Sequence, residues 1–291
     1  MATEHAPAQN DLSPAEITQY AIQTSIKKAN NSILNLILLG ILGGAFIAFA
    51  SEGSNMAAFN LLARPETYGL GKALAGSIFG TGLMLVVIAG AELFTGNTLM
   101  LTGLLSRQIT LMQMLRNWGL VYLGNFLGSV LIAWMMNASG LLHSGANGLG
   151  AVTLKIAVYK VNLTFLQAFV LGIMCNWLVT LAVWMAYGSK NIIGKIFAIF
   201  FPIWLFITSG FEHSIANMYY IPAGILAKSN PEIVKTAADL GLSAEKLATL
   251  NWGTFALNNL VPVTLGNIVG GGLLVATIYW LVYAKPAAKR A

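Results

Sequence analysis

The chain has 291 residues, 57% of them hydrophobic and only 9% charged, with a mean hydropathy of +0.72 and a net charge of +6. A soluble domain of this length carries about a quarter charged residues, so most of this surface does not face water. The positive balance comes from lysines and arginines flanking apolar runs, without the basic stripe and interleaved aromatics of a nucleic-acid-binding face. Residues 1–32 are polar and lack the compact apolar core of a cleavable signal peptide. Within them, "SPAEITQYAIQTSIKKANN" predicts an amphipathic helix: Ser13 caps it, Pro14 suits its first position and Glu16 completes a capping box. Ile17, Tyr20, Ala21 and Ile26 share one face of that helix, which suits a membrane surface. Six runs follow, at 33–50, 74–105, 118–136, 165–187, 196–226 and 260–283, each long and apolar enough to cross a bilayer as helix. The second and fifth are too long for one plain span, and both carry polar residues midway.

This divides the chain into an N-terminal amphipathic helix (1–32), a six-span membrane domain (33–284) and a short tail (285–291). Six spans put both termini on one side. The short connections on that side carry Arg107, Arg116, Lys190 and Lys195 without an acid. Lys27, Lys28, Lys285, Lys289 and Arg290 flank the ends. Positive charge near span ends stays inside, so both termini are expected in the cytoplasm. The one cysteine, Cys175, lies within the fourth run and cannot form an intrachain disulfide.

An internal repeat locates a site. The second run contains "GAELFTGN" and the fifth "GFEHSIAN", both G-x-E-x4-N, through Gly90, Glu92 and Asn97 and through Gly210, Glu212 and Asn217. The third and sixth runs both fit N-x7-N-x2-G, through Asn117, Asn125 and Gly128 and through Asn259, Asn267 and Gly270. The first and fourth share only "LGI", too little to weigh alone. Each half then holds three spans, an odd number, so the second half is inverted relative to the first. Backbone leaves a helix at membrane depth only where it is buried in protein or lines a cavity, so both long runs read as broken helices whose loops meet near the bilayer centre. Glu92 and Glu212 read as braces, accepting hydrogen bonds from the freed N–H groups of the broken turns. His213 differs, because Leu93 stands at the matching place. An ionisable residue inside the membrane without a symmetric structural duty reads as functional.

Enzyme chemistry finds little support. Of the three histidines, His5 and His143 lie in polar flanks, and no His/Cys cluster has metal-ligand spacing. "GLG" at 148–150 and the glycines at 270–272 lack the strand context of nucleotide loops, and the glycines of the third and sixth runs suit close helix packing. No cofactor is implied.

"GAELFTGNTLM", "SGFEHSIANM" and "CNWLVTLAVWMAYGS" together resemble the formate/nitrite transporter family, over about residues 25–285. The resemblance implies an aquaporin-like protomer, a homopentamer with one pore per protomer, and passage of formate, nitrite or hydrosulfide across a bacterial inner membrane. It implies that His213 is the central pore histidine and that Thr95 lies on the loop breaking the second span. It also implies that Lys160 is a vestibule lysine, and that Asn176 and Asn217 are polar pore positions. Phe79, Leu83 and Phe206 match one apolar constriction, and Leu93, Phe94 and Val179 the other. Glu92 departs from the aspartate of some relatives, and the polar connector at 227–251 is untypical. "ANMYYIPAGI" resembles the formate branch more than the nitrite branch. The rival of another class is an aquaporin-like channel for a neutral solute, which the lack of paired N-P-A motifs disfavours.

Overall fold

The computed structural model describes residues 11–284. His5 and the expected 285–291 tail lie outside the described residues. Helix α1 (Pro14–Ala29) begins with the expected capping box, and the Ser13 hydrogen bonds hold the Glu16 carboxyl below its usual range. Then come α2 (Ile33–Leu62), α3 (Pro65–Gly90), α4 (94–105), α5 (Leu111–Ala138), α6 (Gly148–Val161), α7 (Phe165–Gly188), α8 (Ile192–Ser209), α9 (Ser214–Ala227), α10 (Pro231–Asp239), α11 (Ala244–Ala248) and α12 (Trp252–Tyr283). Helices α2, α3, α5, α7, α8 and α12 are long and apolar enough to cross a membrane. The pairs α3–α4 and α8–α9 are the two broken spans, interrupted at 91–93 and 210–213.

The spans outrun the apolar stretches that announce them. Helix α5 starts at Leu111 rather than near 118, because Thr110 and Gln113 form a capping box there; Thr164 and Gln167 do the same for α7. Helix α2 continues past Ala50 to Leu62, since Glu52, Ser54 and Asn55 are buried against protein. Glu52 accepts a hydrogen bond from the Tyr219 hydroxyl on α9. Helix α1 ends at Ala29 and α2 begins at Ile33, on either side of residue 32. Helix α1 buries Thr18, Ala21, Ile22, Ser25 and Ala29, leaves Tyr20 largely exposed, and packs against α4, α7 and α12.

The order of helices repeats: α1 to α5 in the first half correspond to α6, α7, α8, α9 and α12 in the second. The packing repeats with it. Helix α2 packs on α3 and α5, and α7 on α8 and α12. Half-helix α4 touches α1 and α12, as α9 touches α6 and α5. The close approaches match as well: a Cβ added to Gly128 would fall 2.0 Å from the Ile41 carbonyl oxygen, and one on Gly270 2.2 Å from that of Ile173. The glycines of the third and sixth spans therefore let helix backbones touch, as expected. Tyr122 and Thr264, which correspond to each other, share a hydrogen bond of 2.8 Å between α5 and α12. Helices α10 and α11 belong to the 227–251 connector and have no counterpart in the first half.

Candidate functional site

Each broken turn is made the same way. Gly90 and Gly210 take φ of +93° and +82°, a conformation that costs glycine no Cβ clash and turns the chain out of the helix. The next residues extend, and the Glu92 N–H donates to the Leu39 carbonyl (3.1 Å) while the Glu212 N–H donates to that of Leu171 (3.3 Å). Asn125 then ties the first turn together. Its Oδ1 accepts from the Phe94 N–H at 3.0 Å, and its Nδ2 donates to the Gly40 and Glu92 carbonyls. Asn267 does the same for Ser214 N–H (2.9 Å) and the Gly172 and Glu212 carbonyls.

The carboxylates are equally matched. Glu92 accepts from Asn97 Nδ2 at 2.6 Å and from Lys28 Nζ at 2.7 Å, and Asn97 also donates to Asn117 Oδ1. Glu212 accepts from Asn217 Nδ2 at 2.7 Å, Asn259 Nδ2 at 3.2 Å and Lys160 Nζ at 2.6 Å, and Asn217 also donates to Asn259 Oδ1. Both acids are thus satisfied inside the protein, by asparagine amides and a lysine rather than by the freed N–H groups of the turns, which Asn125 and Asn267 meet instead. Removing one partner of such a buried pair costs about 3–5 kcal/mol, because the other charge stays buried.

The symmetry fails at the centre. His213 is buried, and its Nδ1 accepts from the Ala216 N–H at 3.1 Å, capping α9. A ring nitrogen that accepts carries no proton, so the neutral imidazole holds its proton on Nε2, which points at Thr95 Oγ1, 3.0 Å away. Thr95 is held in turn by Asn176, whose Nδ2 donates to the Thr95 carbonyl (3.2 Å), Thr98 Oγ1 (3.2 Å) and the Asn267 carbonyl (2.7 Å). None of the three has a like residue opposite: Leu93, Ile215 and Gly44 stand there. Asn217 belongs to the Glu212 brace, and Asn176 positions the threonine loop; neither contacts His213 through a hydrogen bond.

Two cavities approach this centre from opposite ends and share no lining residue. The larger, about 580 Å³, is walled by His213, Phe206, Lys72, Lys155, Lys160 and Asn55, among others. The smaller, about 180 Å³, is walled by Leu93, Leu83, Val183, Tyr187 and Lys28, among others. Phe206 on the wall of the larger cavity meets Phe79 edge-on, with ring centroids 5.5 Å apart, and Phe79, Phe206 and Val179 are all buried. Phe94 turns toward α5, its ring edge-on to Tyr122 (4.9 Å) and Trp118 (5.8 Å), and lines neither cavity. The connector meets one lining residue of the larger cavity, Lys155, whose Nζ donates to the Leu240 carbonyl at 2.7 Å, and it is tied internally by Lys228 Nζ, which donates to the Leu250 carbonyl at 3.0 Å. Among the described residues no cluster of histidine, cysteine and carboxylate side chains could hold a metal.

Comparison with known proteins agrees with this geometry. The family model described as "Formate/nitrite transporter" matches residues 15–281. The chain belongs to the formate/nitrite transporter family. It is similar to the formate channel FocA of Haemophilus influenzae, 41% identical over 266 residues covering 91% of this chain and 92% of that one. It is also similar to a probable formate transporter of Methanothermobacter thermautotrophicus, 39% identical and covering 94% and 97% of the two chains. A solved pentameric formate channel with formate bound superposes with a TM-score of 0.76 at 39% identity, covering 87% of this chain and 98% of that one. As a member of this family the protein is a transporter, not an enzyme.

Within this family architecture, sequence reading missed Lys28, the counterpart of Lys160. Both end the helix that precedes a half's first span, as K-x-N with Asn30 and Asn162. The "LGI" match set aside as negligible is part of the same repeat. Leu39 and Leu171 accept from the braced glutamates, and Gly40 and Gly172 from the tying asparagines. Lys28 and Lys160, Leu39 and Leu171, and Gly40 and Gly172 are all 132 residues apart, a common spacing that could have revealed them. The asparagines of the N-x7-N-x2-G motif were seen, but the motif was valued for its glycines.

Proposed function

We propose that the protein conducts formate across a membrane, with His213 handling a proton at the centre. The observation that carries this reading is the buried His213–Thr95 pair, with His213 on the wall of the larger cavity and with Leu93 and Ile215 at the matching places of the other half. A bare carboxylate crossing the apolar neck of Phe79, Leu83, Phe206, Leu93 and Val179 loses hydration worth several kcal/mol even after relaxation. Protonating a small carboxylic acid of pKa about 3.5 at pH 7 costs about 5 kcal/mol, at 1.36 kcal/mol per unit. Where the neck costs more than that, the neutral acid is the species that passes. His213 lines the larger cavity, and it can give up a proton from Nε2 only as imidazolium, with Nδ1 protonated and released from the Ala216 N–H, returning to the neutral ring afterwards. The N-termini of α4 and α9 add positive potential at the same depth.

The relatives named for formate support this substrate over nitrite and hydrosulfide, and the pentameric neighbour supports a homopentamer with one pore per protomer. In a bacterium the bilayer is the inner membrane, with α1 and both termini cytoplasmic. The test is flux into proteoliposomes for formate, nitrite, hydrosulfide and glycerol at equal driving force. Formate is expected fastest and acid-stimulated. Glycerol passage without formate passage would replace this reading with a neutral-solute channel.

A further inference from the structure

Three lysines and one glutamate supply the fixed charges on the wall of the larger cavity: Lys72, Lys155, Lys160 and Glu212. Lys160 is matched by Glu212 at 2.6 Å, so that pair presents little net charge. Lys155 spends a hydrogen bond on the Leu240 carbonyl. Among the described residues Lys72 has neither a carboxylate partner nor a hydrogen-bond acceptor. It is half-buried on α3, and its Nζ comes within 3.8 Å of where a Cβ on Gly210 would sit. Gly210 is the turn that opens the second break, two residues before Glu212 and three before His213. The unpaired ammonium therefore stands at the entrance to the centre.

A second donor is on the same wall. Asn55 is 2% exposed, and its Nδ2 has no hydrogen-bond partner. Ser54 beside it donates at 2.9 Å to the carbonyl of Ala75, three residues along α3 from Lys72, and Asn55 and Lys72 both line the larger cavity. A half-buried ammonium and a buried amide that both lack acceptors are costly in a protein interior, and a ligand that accepts from both relieves the cost. A small carboxylate carries the complementary charge and two acceptor oxygens. We infer that Lys72, with Asn55, forms an anion-holding station in the larger cavity, which a small carboxylate occupies before it reaches His213. This rests on the formate reading and deepens it: recognition of the anion belongs to Lys72, while Lys160 serves the brace.

The competing explanation is that Lys72 only complements the negative C-terminal end of α8. The experiment separates the two. Formate uptake into proteoliposomes is measured against formate concentration for the parent, Lys72→Met, Lys72→Arg and Lys72→Cys. Loss of one favourable charge contact of about 1–1.4 kcal/mol raises the half-saturating concentration about five- to tenfold in Lys72→Met, with maximal flux near the parent's. Lys72→Arg retains most of the affinity. Lys72→Cys behaves like Lys72→Met, recovers after 2-aminoethyl methanethiosulfonate restores an ammonium, and does not recover after neutral methyl methanethiosulfonate. Cys175 is fully buried and gives little background reaction. If the methionine variant fails to insert, Lys72→Gln takes its place.

A parallel arm reads binding without transport, as the gain in thermal stability of detergent-purified protein in sodium formate over sodium chloride. That gain is expected in the parent and lost in Lys72→Met. Unchanged half-saturation in Lys72→Met, or equal recovery by both reagents, overturns the inference while leaving formate conduction intact. A parent that is stabilised by formate through Lys72 yet carries no formate would instead overturn the conduction reading and leave the station standing.

Discussion

The two halves of the molecule are built alike to the level of single hydrogen bonds, and they part company at three side chains. Glu92, Asn97, Asn117, Asn125 and Lys28 reproduce Glu212, Asn217, Asn259, Asn267 and Lys160 in their hydrogen bonds, apart from one added bond from Asn259 to Glu212. Thr95, Asn176 and His213 have no such mates. What is repeated must serve what both halves share, which is a helix broken at membrane depth with its freed backbone groups satisfied. What is not repeated must serve what only the whole molecule does. On this argument we propose that the two acids inside the membrane serve as scaffold and that the imidazole beside Glu212 serves transport.

The strongest way to break the comparison is to remove the tying asparagines. Asn125→Leu leaves the Phe94 N–H and the Glu92 carbonyl unpaired, at about 1–3 kcal/mol each, and removes the second donor to the Gly40 carbonyl of α2. Asn267→Leu does the same to the matching groups in the second half. Both variants should lose most monodisperse protein on size exclusion, and to a similar extent. A half that tolerates the change while the other collapses would show that the symmetry is only apparent.

Next in size is the histidine. His213→Asn can still hydrogen-bond an anion but cannot release a proton usefully near pH 7. Initial formate uptake at external pH 5, normalised to inserted protein, should fall about a hundredfold, the low end of what a positioned proton donor supplies. Uptake at pH 7 should change less. An unchanged ratio between pH 5 and pH 7 would return His213 to the role of a helix cap, which its Ala216 bond already performs.

Much of this was legible in the sequence because polar residues inside an apolar run have few explanations. The two breaks, their glycines and the odd histidine all announced themselves that way. Helix ends were not legible: Thr110 and Gln113, or Glu52 and Asn55, lower the apparent hydropathy of residues that are helical all the same. Lys28 was hidden because a lysine ahead of a first span already has an explanation, membrane orientation. Its pairing with Glu92, 64 positions away, is set by how α1 packs under α4 rather than by any local pattern. Lys160 carried the opposite difficulty. Alone it suits a solvated loop, yet it lies near the end of α6 with 9% of its surface exposed.

A smaller effect sharpens the asymmetric centre. Thr95→Val keeps the shape and removes one hydroxyl bonded to His213 Nε2 at 3.0 Å. Losing a neutral hydrogen bond of about 1 kcal/mol should slow acid-stimulated uptake about fivefold. Ile215→Val, at the matching place, should leave it unchanged. Equal losses in both would mean that packing at the neck, not the hydroxyl, was being measured.

The smallest expected effect concerns the braces as charges. If Lys160 gathers anions, neutralising it should flatten the salt dependence of uptake, because long-range attraction is screened within a Debye length of about 8–10 Å at physiological ionic strength. If the Lys160–Glu212 pair is scaffold, its two charges cancel at a distance, and removing both together changes little outside. The double variant Lys160→Met/Glu212→Gln makes that separation, since neither single change leaves the buried partner neutral. The amide introduced at 212 has an acceptor waiting, because Asn217 Oδ1 is buried without a partner and the Asn217 amide can turn to meet it. Uptake measured at 20 and 200 mM salt should give the parent's ratio within about twofold, the residual that incomplete cancellation of a surface-distant pair allows. Lys28→Met/Glu92→Gln should do the same at the smaller cavity. A flattened ratio in the first double variant alone would place the anion-gathering charge on Lys160 after all, and the two braces would no longer be equivalent.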